Sequence, residues 1–301
     1  MTGCALLSQL GSQGIRAVQS PQPTPQPEEL YFSCDSSAEA IAEIIKREKP
    51  DHLAFGEYHP SALPQGTQRI TMLEYFVEQL LPGLLNFGFK QLVLEGVYSD
   101  SSVDTNISHY LQGTIDLSEI VGYFYPEDSV NVPGLTKTLR FALAQNMDPL
   151  RRFRVFGGGL KSRDPEVQLT YASGFVFLAN PAKLTSLMQR VSQRMAEKVK
   201  LLRSTKGQSP RIITYGGAQH NDKAKVTKEK GISLWEYKLK PYTEVDLMPV
   251  EALRRTDLQG LYPEYKRWSN SLAVLPQKGK VTLVKRGESY TIIFPEGIFT
   301  P

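Results

Sequence analysis

Along the chain, short apolar runs alternate with segments whose apolar residues recur every three to four positions, the marks of buried strands and amphipathic helices. "SSAEAIAEIIKRE" (Ser36 to Glu48) carries Ala40, Ile41, Ile44 and Ile45 on one face behind a serine cap, and Lys49-Pro50 closes it. "HLAF" then reads as a short buried strand. "TQRITMLEYFVEQLL" (Thr67 to Leu81) is a helix with Ile70, Leu73, Val77, Leu80 and Leu81 on one side, ending at Pro82-Gly83. "KQLVLEG" is a second strand, bounded by Gly88 and Gly96.

Residues 101 to 133 are rich in Asp, Ser and Tyr, with short helical pieces around Ser108 and Leu117. "LTKTLRFALAQNM" is a helix and "RFRVFGGG" a strand running into three glycines, while "LTYASGFVFLA" fits strand and loop equally. "KLTSLMQRVSQRMAEKVKLLR" is a long helix whose apolar face holds Leu184, Leu187, Met188, Val191, Met195, Val199 and Leu202. "RIITYGG" is a strand, followed by a polar helix and the strand "GISLWEYKL". "KVTLVKRGESYTIIF" reads as a hairpin turning at Arg286-Gly287. Strands alternating with helices predict an α/β fold, a mostly parallel sheet with helices on both faces. The hairpin is expected as an antiparallel edge or a small cap. There is no internal repeat and no sign of a second domain.

Composition narrows this picture. Of the 301 residues 41% are hydrophobic and 22% charged, so the chain can bury a real core as one domain over residues 31–301. Residues 1–30 are Gln-, Ser- and Pro-rich and read as a disordered tail. The 35 basic and 31 acidic residues are interspersed, so a net charge of +4 does not point to nucleic acid. The one dense basic stretch, "KAKVTKEK", reads as a solvated helix face. Two cysteines, Cys4 and Cys34, cannot build a disulfide framework. No apolar run approaches the ~20 residues that span a bilayer, and Met1 to Leu10 lacks the pattern of a signal peptide. Thr2-Gly3-Cys4 resembles the end of a bacterial lipobox. On that reading Cys4 carries lipid, Met1 replaces a removed signal and the protein is tethered in the cell envelope or exported. On the other it is cytoplasmic, and Cys4 has no role.

Four strands end alike. "HLAF" runs into Gly56-Glu57-Tyr58-His59, "QLVL" into Glu95-Gly96, "FRVF" into Gly157-Gly158-Gly159, and "RIITY" into Gly216-Gly217-Ala218-Gln219-His220. In a parallel sheet these ends share one edge, outside which ligands bind. Gly56 reads as the point where the backbone leaves the sheet. Glu57, His59, Glu95 and His220 are thereby directed to a common cleft, two of them through a repeated Gly-x-x-His. Arg69 shares the apolar face of its helix with Leu73, Phe76 and Leu80, and there it can steady Glu57 or Glu95. A surface arginine near the helix start is the plainer reading. Tyr58, Tyr215, Lys161 and Gln219 could line the cleft, whereas His52 and His109 are assigned structural roles. Gly-x-Ser-x-Gly, P-loop, Cys-x-x-Cys-His and His-Glu-x-x-His sequences are all absent.

"FGEYH", then Arg69, then "FGFKQLVLEG", then "YGGAQH" resembles the superfamily of erythromycin esterases, ChaN-like haem-binding lipoproteins and TIKI/TraB proteins. Its Glu-x-His spacing departs from the Glu-x-x-His of the esterase branch. The esterase resemblance implies a hydrolase in which His59, with an unperturbed pKa of about 6.5, activates water. Glu57 and Glu95 would orient it, Arg69 would hold a carboxylate, and His220 would assist as acid or oxyanion donor. The TIKI resemblance implies a divalent metal on Glu57, His59, Glu95 and His220. The ChaN resemblance implies a non-catalytic haem- or iron-binding lipoprotein, with His59 or Tyr58 as axial ligand. A toxin-like or interaction module that keeps only the fold is a third reading. The expected partner is a small-molecule substrate or haem.

Overall fold

The computed structural model describes residues 29–57, 70–124, 132–163, 181–205, 211–221, 223, 234, 241–254, 276–277 and 279–299. Its centre is an eight-stranded sheet built from β1 (Glu29–Cys34), β2 (His52–Glu57), β3 (Gln91–Leu94), β4 (Arg154–Gly157), β5 (Ile212–Gly217), β6 (Thr243–Pro249), β7 (Val281–Arg286) and β8 (Ser289–Phe294). The spatial order is β1-β7-β8-β6-β2-β5-β3-β4. Only β7 runs against the rest, pairing antiparallel with both β1 and β8. The fold is therefore α/β with a mostly parallel sheet.

The strands β2, β3, β6 and β8 are buried along their whole length. That is why β2 and β3 read as continuous apolar runs rather than alternating ones. Two features differ from the sequence reading. The hairpin β7–β8 is not an edge, because β8 pairs with β6 and β1 covers β7. The edge strand β1 begins at Glu29, inside the stretch expected to be tail, and its Glu29 bonds Arg286 of β7 at 2.7 Å. β6 was not foreseen either, since Glu244 and Asp246 interrupt its apolar pattern although both are fully buried. The expected strand 231–239 lies outside the described residues apart from Leu234, as does the segment 169–179.

Helices cover both faces. α1 (Ser37–Glu48) starts where the Ser36 hydroxyl accepts from the Glu39 N–H, and it buries the four apolar residues expected of it. It ends on Lys49 in the left-handed region (φ 46°), whose N–H bonds the Ile45 carbonyl.

α2 (Met72–Tyr75) opens on a capping box between Thr71 and Glu74. It widens into a π turn (Phe76–Leu80) and continues as α3 (Leu81–Asn86). The helix thus runs past Pro82-Gly83, where it was expected to stop. The Leu81 N–H reaches back to the Phe76 carbonyl, and Pro82 falls at the start of the new segment, where its missing N–H costs nothing. Phe76 is thereby set against Phe55 and Tyr215, with ring centroids 5.0 and 4.7 Å away.

α4 (Ser101–Leu111), α5 (Ser118–Val121) and α6 (Val132–Asn146) follow as expected. α7 (Pro181–Ser204) packs on the opposite face from α2, its Met195 against the Gly158 turn beside Val93. Lys198 of α7 pairs with Asp104 of α4, whose second oxygen accepts from the Gly157 N–H at 3.0 Å. Burial pushes the Asp104 carboxyl up even though Lys198 pulls it down. This contact fixes α7 along its own axis. Among the described residues no helix is long and apolar enough to cross a membrane.

Candidate functional site

The carboxyl edge of β2, β5 and β3 holds Glu57, Glu95 and His220. β2 does not leave the sheet at Gly56. It stays paired through Glu57, opposite Gly217 of β5 and Leu247 of β6. Gly56 instead makes room for the short helix α8 (Ala218–Asn221): a Cβ there would lie 2.6 Å from the Ala218 Cα and 2.9 Å from Asp246 Oδ1. This close approach seats α8 on the strand ends and fixes the backbone that carries His220.

His220 is 4% exposed and has a polar neighbour at each ring nitrogen. Its Nε2 stands 3.1 Å from Glu95 Oε1 and its Nδ1 2.6 Å from the Ser192 hydroxyl of α7. The second Glu95 oxygen accepts from the Gly217 N–H at 2.6 Å. Gly216 is bare for the same reason as Gly56, because its Cβ position is filled by the Glu95 side chain. The outcome is a chain, Ser192–His220–Glu95, whose carboxylate end is the open one. The Glu95 side chain is 23% exposed, against 5% for His220.

Glu57 takes a different course. In register, Phe55, Glu57 and Tyr215 point to the α2 face of the sheet, whereas Gly216 and the Glu95 side chain against it point to the α7 face. Glu57 accepts from the Tyr215 hydroxyl at 2.5 Å, under Phe76. Burial, and then the Glu57 charge, push the Tyr215 phenol well above its usual range. Glu95 and His220 are thus brought together, while Glu57 leaves the strand on the other side. Tyr58, His59 and Arg69 lie outside the described residues, as does the Gln219 side chain.

Of the residues set aside, His52 is fully buried, its Nε2 3.0 Å from the Thr214 hydroxyl. Burial, aided by Arg203 and Lys223, pushes its pKa down to about 3, so it is a neutral core residue. His109 is exposed on α4 and Lys161 is exposed beyond β4.

The metal and haem expectations can be tested on donor chemistry. A metal-ligating imidazole needs a free nitrogen lone pair. As placed, His220 has one nitrogen on Glu95 and the other on Ser192. Among the described residues no group of three or more His, Cys, Asp or Glu side chains is arranged to hold a metal ion. Of the expected ligand set, Glu95 and His220 face each other while Glu57 lies on the other side of the sheet. The fourth ligand, His59, and the other expected axial candidate, Tyr58, lie outside the described residues.

Ser192 is the functional candidate that residue-type reasoning passed over. Its signal was present: it falls at the +4 position from Met188 and the −3 position from Met195, inside the apolar stripe of α7. A polar residue in a buried stripe needs a partner.

No family model matches the chain, and no curated protein matches it. Among solved structures, the type III effector HopBA1 is similar over 76% of this chain and 89% of its own, at 13% identity and a TM-score of 0.42. A structure described as having a thiol-protease like catalytic triad in the C-terminal region of Pasteurella multocida toxin is similar over 60% of this chain and 20% of its own. Its identity is 17% and its TM-score 0.38. Neither likeness is close enough to bear on activity.

Proposed function

We propose that the protein is a hydrolase-like enzyme acting on a small-molecule substrate, in which Glu95 orients a water molecule at the carboxyl edge of the sheet. The observation that carries this reading is the Glu95 carboxylate, one oxygen accepting from the Gly217 N–H and the other 3.1 Å from His220 Nε2, on a side chain that is still 23% exposed. A carboxylate with a polar neighbour at each oxygen is pre-aimed, as a group that must hold and polarise water should be. The resemblance around "FGEYH" and "YGGAQH" supports the same reading and supplies His59 as the base. Water gives its proton to His59 as its oxygen adds to the substrate carbonyl, and His59 returns that proton to the leaving group. Glu95 keeps the attacking lone pair in line and offsets the positive charge that develops on His59.

The test is turnover of a chromogenic panel of esters, lactones, amides and phosphoesters by the full chain and by Glu95→Gln and His59→Ala. General acid–base contributions predict losses of roughly 10²–10⁴-fold in kcat for each. No hydrolysis across the panel, or undiminished turnover in both variants, would overturn the reading. Haemin added to the same preparations discriminates further: a Soret band lost in His59→Ala would replace hydrolysis with haem binding.

A further inference from the structure

We infer that Ser192 is the positioning residue of this site, locking His220 in the tautomer that donates to Glu95; this rests on the role proposed for Glu95. The chain Ser192–His220–Glu95 has the composition of a nucleophilic triad, but its exposure runs the wrong way for one. In such a triad the hydroxyl meets substrate and the carboxylate is buried behind the imidazole. Here Ser192 is fully buried on α7, His220 is 4% exposed, and Glu95, with a side chain 23% exposed, is the member nearest solvent. The serine occupies the orienting end and the carboxylate the working end.

The proton positions follow from what each atom can accept. Glu95, holding the Gly217 N–H on one oxygen, is an acceptor on the other as well. The imidazole nitrogen 3.1 Å away must therefore present a hydrogen, which places the ring proton on Nε2. In the neutral ring Nδ1 is then the lone pair, and the Ser192 hydroxyl 2.6 Å away is placed to donate to it. An unassisted neutral imidazole exchanges its proton between the two nitrogens. Ser192 and Glu95, acting from opposite sides, remove that freedom, and the carboxylate is kept from rotating out of line. Ser192 itself touches neither water nor substrate.

The test needs no substrate, so it fails or succeeds independently of the proposed hydrolysis. The full chain is labelled with ¹⁵N-histidine and its imidazole nitrogens are read by long-range ¹H–¹⁵N correlation near neutral pH. The four histidines are sorted by the resonance lost in His220→Asn. The expected spectrum has Nε2 protonated and Nδ1 as a hydrogen-bonded acceptor. In Ser192→Ala the preference for that tautomer falls about tenfold, the worth of one buried hydrogen bond, and Ser192→Thr restores it. Glu95→Gln weakens it from the other side without touching α7. A wild-type spectrum with the proton on Nδ1, or with both nitrogens protonated, would overturn the inference. So would Ser192→Ala and Glu95→Gln spectra that leave His220 unchanged.

Discussion

Replacing Gly56 by alanine tests the claim that this glycine exists to let α8 close on the strand ends. The added methyl would stand 2.6 Å from the Ala218 Cα and 2.9 Å from Asp246 Oδ1, roughly 0.8 Å short of the 3.4 Å where ordinary contact begins. The first obstacle is backbone, and the second is a fully buried carboxylate in the central strand β6. Neither can swing aside as the end of a flexible side chain would. Overpacking of this kind costs about 1–3 kcal/mol. In a chain of this size that lowers the Tm by about 2–5 °C. Relief can come only by lifting α8, so His220 should move off Glu95 as well. Thermal unfolding followed by circular dichroism gives the first quantity, and the His220 imidazole shifts give the second. Gly83→Ala is the control, because no atom lies within 4 Å of the Cβ it would gain. There the exchange should be neutral or stabilising by about 0.5–1 kcal/mol, as expected for glycine in a helix. If Gly56→Ala matches wild type in both stability and His220 shifts, α8 does not depend on the bare strand for its seat.

Tyr215→Phe leaves the packing under Phe76 intact but removes the hydroxyl that donates to Glu57, and should destabilise by about 1.5–3 kcal/mol in urea titration. A loss below about 0.5 kcal/mol would mean that Glu57 does not depend on it. Lys198→Ala leaves the largely buried Asp104 unpaired and should cost about 3 kcal/mol, falling towards zero if α7 is held chiefly by its apolar face. His52 adds a pH dependence whose sign is fixed. Its folded pKa of about 3 lies below the unfolded value of about 6.5, so the unfolded chain binds the extra proton first. Its contribution is complete above about pH 6.5 and lost on acidification, at about 1.4 kcal/mol per pH unit. Between pH 6.5 and 4.5, before most carboxylates titrate, His52→Asn should flatten the stability profile, and an unchanged slope would refute neutral burial.

The parallel core was legible because β2, β3 and β5 are buried on both faces and so appear as uninterrupted apolar runs between glycines. β6 has the same surroundings but carries two buried carboxylates, Glu244 and Asp246, and the partners of Glu244 come from distant segments. Glu244 accepts from the Ser289 hydroxyl at 2.5 Å and from the Lys223 N–H at 3.1 Å. Satisfied in this way, a carboxylate can sit in a central strand, but nothing local in "TEVDLMP" announces that satisfaction. β1 was hidden for a related reason. It is a half-exposed edge strand held by its ladder with β7 and by Glu29–Arg286, both contacts with residues more than 240 positions away.

The site shows where strand-end reasoning succeeds and where it stops. Shared direction in a parallel sheet was enough to bring Glu95 and His220 to one edge, and they meet at 3.1 Å. The face of the sheet is a separate variable, set by the parity of each residue in its strand and invisible until the register is known. Glu57 pairs in register with Gly217, one position beyond Gly216, whose bare face receives Glu95. That single-residue offset sends one carboxylate to the α2 side and the other to the α7 side. The same offset explains the two glycines. Gly56 and Gly216 are on the face where α8 and Glu95 must approach, so these strand-end glycines mark a backbone that others come to meet, not one that departs from the sheet.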